Sequence, residues 1–189
     1  EVTRKYGTML RPERQFLQVG AETIGEKKYY ADLEIIKIAY SSLLLVGIKN
    51  LVLEISSRIF IDKLFSSIKD KKNISELKES IKKKDLEKSL SLIEVEKKDY
   101  LKNLFNCTGT FNNIKSNLKT LCIDKETTLE ISNIKDIAKK IDKNLKNSLY
   151  IDFCELYEKK YHSGIRFTFF AKDIRGEIAS GGRYTIKNN

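Results

Sequence analysis

From Ala31 to Val46 the apolar residues Leu33, Ile36, Tyr40, Leu43 and Leu44 recur at helical spacing, and Gly47 follows where such a helix would stop. Ahead of it the pattern has period two. Arg14 to Ile24 puts Leu17, Val19, Ala21 and Thr23 on one face and Phe16, Gln18, Gly20 and Glu22 on the other, which predicts a strand. Residues 1–11 are β-compatible, and Met9-Leu10-Arg11-Pro12-Glu13, with the chain's one proline, supplies the turn of a strand pair. Leu51–Ile55 reads as a further strand, so the first 56 residues spell β-β-α-β. From Arg58 to Asn147 the pattern turns helical, with amphipathic segments over Ile59–Ile68, Ile74–Lys83, Leu86–Phe105, Phe111–Leu121 and Ile134–Leu145 and no fixed internal repeat. β character returns in Leu149–Cys154, Gly164–Phe170 and Ile174–Tyr184, with Phe167 and Phe169 sharing a face. The expected fold class is α+β, a mostly antiparallel sheet with flanking helices and a helical insertion. Residues 1–57 form the first part of its core, 58–148 a lysine-rich helical insertion and 149–189 the second part.

Arginine usage sharpens that division. All seven arginines lie outside residues 59–148, as do eight of the nine glycines and the proline, whereas lysines fill the stretch. Arginine persists where planar, bidentate hydrogen bonding is needed, so the two ends of the chain are its chemically constrained parts. The net charge of +10 admits a nucleic-acid partner, but a Lys, Ile and Asn excess of the kind an AT-rich genome imposes accounts for it more readily, and no aromatic residues interleave the lysines as in a recognisable RNA module. Cys107, Cys122 and Cys154 form no C-x-x-C pair, which fits a reducing compartment and makes the cytoplasm the expected location. The most apolar run, Leu43-Leu44-Leu45-Val46, is far short of the roughly 20 residues a bilayer span needs. The chain opens on Glu1 and ends just after a glycine-rich strand pattern, so both ends are expected to be cut from something longer.

The candidate chemistry is concentrated in three short blocks. Gln18 and Glu22 share a strand face with Gly20 between them, so a neutral donor/acceptor and a carboxylate flank a position where a ligand could approach the backbone, or else they form an ordinary solvated face. His162, the only histidine, lies between Tyr161 and Gly164, and a lone histidine is more often a structural or surface residue than a catalyst. Gly181-Gly182 reads as a close backbone approach or a bulge ahead of Tyr184. There is no P-loop, no G-x-S-x-G, no metal-ligand spacing and no local nucleophile signature.

In this order, Arg11-Pro12-Glu13-Arg14-Gln15-Phe16-Leu17-Gln18-Val19-Gly20-Ala21-Glu22, Tyr161-His162-Ser163-Gly164-Ile165-Arg166-Phe167 and Ala179-Ser180-Gly181-Gly182-Arg183-Tyr184 resemble the class II histidyl-tRNA synthetase core and its paralogue, the ATP phosphoribosyltransferase regulatory subunits. The resemblance covers roughly residues 1–56 and 150–189. It implies a remnant histidine pocket of Arg4, Gln18, Glu22, Tyr161, His162 and Tyr184, with Gly20, Gly181 and Gly182 giving backbone approach. Within it Glu22 would pair with the ammonium or imidazole, and Gln18 would orient the ligand. It also implies a short-form ATP phosphoribosyltransferase catalytic chain as partner, a hetero-octameric assembly and feedback by histidine, with no cofactor or metal and no membrane or nucleic-acid partner. Departures from the synthetase pattern point to the regulatory branch. Tyr6 stands where the synthetases carry an adenine-contacting glutamate, Gly7 where they carry an arginine, and Tyr157 where they carry the arginine of the histidine loop. Losing a cation aimed at developing negative charge removes about 3 kcal/mol or more of transition-state stabilisation, so a catalytically silent chain is expected. A divergent histidyl-tRNA synthetase is the alternative that the resemblance leaves open.

Overall fold

The computed structural model describes residues 2–3, 14–26, 29–68, 72–156 and 162–185. Along these the elements are β1 (Val2–Thr3), β2 (Gln15–Phe16), α1 (Tyr29–Leu45), β3 (Leu51–Ser57), α2 (Arg58–Ser66), α3 (Ile74–Lys82), α4 (Leu86–Ser91), a 3-10 turn (Val95–Lys97), α5 (Lys98–Asn106) and β4 (Gly109–Thr110). They continue with α6 (Phe111–Ile114), a second 3-10 turn (Asn117–Leu121), α7 (Lys125–Lys140), α8 (Lys143–Asn147), β5 (Leu149–Ile151), β6 (His162–Ala171) and β7 (Ile174–Tyr184). Five strands form one sheet in the order β4-β5-β3-β6-β7, antiparallel except for the parallel β3/β5 pair, and β1 pairs with β2 apart from it.

Local chemistry explains where the helices stop. Gly47, at φ +84°, closes α1 with a Schellman motif in which Ile48 N–H donates to Leu43 C=O at 3.0 Å and Gly47 N–H to Leu44 C=O at 2.9 Å. The same motif closes α3, but a lysine occupies the left-handed position. Lys84 sits at φ +57°, Asp85 N–H donates to Ser80 C=O and Lys84 N–H to Ile81 C=O. A β-carbon is strained there, and the Lys84 side chain reaches out of that corner to Asp152 at the end of β5.

One face of the sheet carries the core. The register sets Leu51, Leu53, Ile55 and Ser57 of β3 opposite Ala171, Phe169, Phe167 and Ile165 of β6, all buried, and the helices supply Phe60, Leu64, Leu77, Leu104 and Ile134 to the same core. Arg183 of β7 anchors α1 from this side through Asp32 at 3.0 Å, and Lys63 of α2 reaches both Asp124 and Glu126 at the start of α7, at 2.8 and 2.7 Å.

Several expected elements change. The strand expected over Arg14–Ile24 contracts to Gln15–Phe16, and Leu17, Val19 and Ile24 stand almost fully exposed. Alternation decides which side chains share a face but supplies no partner edge, and among the described residues no strand pairs with residues 17–24. The helix expected over Ile134–Leu145 starts instead at Lys125, because Asp124 accepts Thr127 N–H in a capping box, and it ends at Lys140, with Asp142 capping the separate α8. The long helix expected over Leu86–Phe105 divides after Ser91, which lets Ile93 enter the core and the Ser89 hydroxyl meet that of Ser80 at 2.9 Å. Phe111–Leu121 divides likewise into α6 and a 3-10 turn, whereas β7 runs over the predicted Ile174–Tyr184.

Candidate functional site

Strand alternation builds a second, polar face on the sheet. Because Leu51, Leu53 and Ile55 point to the core, Val52, Glu54 and Ser56 point away from it, and the register sets them opposite Phe170, Thr168 and Arg166. Gly182 of β7 lies opposite Arg166, and Tyr184 lies opposite His162 beyond a register shift in β6. A β-carbon on Gly182 would sit 2.8 Å from His162 Nδ1 and 3.0 Å from the Ile165 carbonyl oxygen, so the missing side chain is what seats the imidazole against β7. Gly181 faces the core, where a β-carbon would lie 2.6 Å from Phe167 Cζ. The two glycines thus serve opposite faces.

His162, Tyr184 and Gly182 therefore come together at one end of β6 and β7, whereas Gly181, expected beside the same pocket, faces the core. Gln18, Gly20 and Glu22 lie on exposed, irregular chain. Nothing comes within 4 Å of a β-carbon built on Gly20, and neither Gln18 nor Glu22 makes a side-chain hydrogen bond or ion pair to another described residue. Arg4 and Tyr161, like Tyr6, Gly7 and Tyr157, fall outside the described residues.

The polar face also contains residues that the sequence reading passed over. Arg166 makes a 3.5 Å contact with Glu177. Asp152, almost fully buried, accepts Lys84 Nζ at 2.7 and 2.6 Å and the Cys154 N–H at 2.8 Å. Glu54 is half-buried, and burial first, then the Asp152 and Glu155 charges, push its carboxyl up to about 7 against the opposing pull of Lys84 and Arg166. The period-two pattern of β3 would have placed Glu54 on the face away from the core, but not how much of it the neighbouring strands cover. Behind the sheet, Ser57 donates to Glu130 at 2.6 Å, and burial raises the carboxyls of both Glu130 and Asp32.

A test of the Glu54 environment follows from linkage. Its proton is held to about pH 7 in the folded chain, against an ordinary value of 4.5, so between those values the folded state binds more protons and stability falls as pH rises, levelling off above 7. Because the group is only partly buried, the full shift overstates the energy, and about 1–2 kcal/mol is expected. Glu54→Gln should remove this share of the slope, so that urea denaturation finds the variant gaining on the native chain by that amount between pH 5 and pH 8.

Two grooves, of about 560 and 340 Å³, are lined by residues between Cys122 and Ser132 and by residues around Tyr40 and Asp142, and include none of the residues above. The strand face, where the Glu54, Asp152, Lys84 and Arg166 charges act on one another, is the better candidate. Among the described residues no cluster of three or more His, Cys, Asp or Glu is placed to hold a metal ion, the three cysteines are free thiols, and no helix is long and apolar enough to cross a membrane.

This sheet, covered by helices on one face and interrupted between β3 and β5 by a helical segment, is class II aminoacyl-tRNA synthetase-like, and the histidyl-tRNA synthetase family model matches residues 1–188. The chain belongs to the histidyl-tRNA synthetase family. Within it the chain is similar to the ATP phosphoribosyltransferase regulatory subunits of Rhodospirillum centenum, 27% identical over 97% of this chain and 48% of that one, and of Clostridium botulinum, 30% identical over 90% and 42%. It is also similar to a histidine–tRNA ligase of Sulfurisphaera tokodaii, 29% identical over 90% of this chain and 42% of that one. The solved ATP phosphoribosyl transferase complex of Thermotoga maritima contains a chain of the same fold, with a TM-score of 0.63 and 17% identity over 85% of this chain and 58% of that one. The chain spans about half the length of the curated relatives it matches.

Proposed function

We propose that this chain belongs to a non-catalytic regulatory subunit that activates a short-form ATP phosphoribosyltransferase catalytic chain and takes part in feedback by histidine. One observation carries the reading. The chain is similar to proteins named as that regulatory subunit over nine-tenths or more of its length, while Tyr6, Gly7 and Tyr157 replace the charged residues that the resemblance assigns to adenylate chemistry. In this reading residues 1–57 and 149–189 are the two parts of the synthetase-like core and 58–148 an insertion that shares its hydrophobic interior. The subunit works in the cytoplasm, assembles with itself and with the catalytic chain, and needs no cofactor. Docking favours the active arrangement of the partner, and histidine, bound better by the less active arrangement, shifts the population back. The seating of His162 against Gly182, with Tyr184 alongside, supports a remnant histidine pocket there, completed by Arg4, Gln18, Glu22 and Tyr161.

The similarity to a histidine–tRNA ligase favours a second reading, a divergent synthetase. Mixing the purified protein with the short-form catalytic chain and following phosphoribosyl transfer to ATP separates the two. Activity that appears only in the mixture and declines with added histidine is expected. An inactive mixture, with the protein instead charging tRNA with histidine, overturns the regulatory reading.

A further inference from the structure

On the helix-covered side of the sheet, two carboxyls and one guanidinium meet where α1, α7 and the ends of β3, β6 and β7 converge. Glu130, in the middle of α7 and 7% exposed, accepts the buried Ser57 hydroxyl at 2.6 Å. Asp32, in the first turn of α1, takes Arg183 of β7 at 3.0 Å, with side chains 11% and 23% exposed. A β-carbon on Gly164 of β6 would lie 3.4 Å from Arg183 Cδ and 3.9 Å from Glu130 Oε1. Both side chains therefore close on the same point of β6, the Asp32 charge reaches Glu130, and Arg183 is the cation that acts on both. Other charges along these elements are engaged elsewhere: Arg58 with Asp62 at 2.8 Å, Lys63 with Asp124 and Glu126, Lys139 with Asp136 at 3.0 Å, and Lys140 with the Tyr29 hydroxyl at 2.7 Å.

We propose that Glu130 and Asp32 hold a single proton between them and, with Arg183, form a pH-sensitive lock that fastens α7, and with it the helical segment between β3 and β5, to α1 and the sheet. With one carboxyl protonated, the guanidinium balances the other and the cluster is neutral. Loss of the proton leaves two buried negative charges against one positive, a surplus that is relieved when α7 draws away from the sheet and water enters. Burial raises the Glu130 carboxyl against the Ser57 hydrogen bond, and the Asp32 charge raises it further; burial likewise raises Asp32 against Arg183. The folded chain thus keeps a proton that the unfolded chain releases above the ordinary carboxyl value of 4.5, so the lock is firm at acid pH and weakens as pH rises. It closes at the end of β6 and β7 where the imidazole of His162 is seated.

Urea unfolding of the native protein, Glu130→Gln, Asp32→Asn and the double variant between pH 5 and pH 9 tests the sharing. Each single variant should gain on the native protein as pH rises, by about fivefold or more in the unfolding constant, the least that a buried charge without its partner costs. The double variant should gain no more with pH than either single one, because one proton is involved. The Glu54 contribution is common to all four proteins and cancels. Amide hydrogen exchange on the native protein locates the effect. After correction for intrinsic rates, protection over Thr128–Ile134 of α7 should fall with pH about fivefold more than protection over Leu101–Leu104 of α5. Should Glu130→Gln fail to fold, Asp32→Asn and the exchange profile decide. A stability difference that stays constant with pH, as a purely structural hydrogen bond gives, gains that add in the double variant, or equal loss of protection in α5 and α7 overturns the proposal.

Discussion

Replacing Lys84 with methionine will destabilise the fold by about 2–3 kcal/mol, lowering Tm by roughly 4–10 °C for a chain of this size. The Asp152 carboxylate is only 6% exposed and depends on the two Lys84 contacts at 2.7 and 2.6 Å and on the Cys154 N–H. Deleting the ammonium leaves a buried charge with one hydrogen bond. Lys84 itself is 40% exposed, which is why the expected loss falls below that of a fully buried pair. Lys84→Gly makes the test sharper, since it removes the same ion pair but relieves the left-handed backbone, and should recover about 1 kcal/mol of the loss. Urea unfolding of the three proteins measures both steps. A methionine variant within about 0.5 kcal/mol of the native chain would mean that water already satisfies Asp152.

Gly181→Ala will cost about 1–3 kcal/mol, the usual range for forcing atoms into a packed interior. The added methyl would lie 2.6 and 2.8 Å from Cζ and Cε1 of Phe167, which is itself held edge-on against Phe169 with ring centres 5.9 Å apart, so the ring has little freedom to withdraw. Gly20→Ala is the matched control. With nothing within 4 Å of its β-carbon, it should change stability by less than about 0.5 kcal/mol. Equal effects at the two positions would contradict the packing described for β7.

These contrasts mark the boundary between what sequence and tertiary structure each decide. Where an element's ends are set by local chemistry, the chain's pattern locates it. Gly47 stops α1 because only a residue tolerant of left-handed backbone closes that motif cheaply, and β7 runs over the expected Ile174–Tyr184, paired along β6. The start of α7 was readable too, since Asp124 and Thr127 carry a capping signature three residues apart, but the stronger apolar periodicity begins later and masked it. The blocks around His162 and Gly181-Gly182 drew attention in the sequence through their resemblance to the histidyl-tRNA synthetase core.

Partnership between distant residues was not readable. Arg14–Ile24 alternates regularly, yet a strand exists only where another edge offers hydrogen bonds, and of its described residues only Gln15 and Phe16 find one. Glu54 and Arg166 lie 112 positions apart, and the β3/β6 register makes them neighbours on one face. Lys84 and Asp152 are separated by 68 positions, and only the α3/α4 corner brings them together. The sequence by itself determined where helical and strand patterns alternate along the chain, the polar and apolar faces of β3 and β6 and the residues with unusual chemistry, because these depend on interactions within a few residues. Tertiary structure decided which faces meet, which charges are buried and what each glycine accommodates, because those depend on the closure of long loops whose geometry no local pattern encodes.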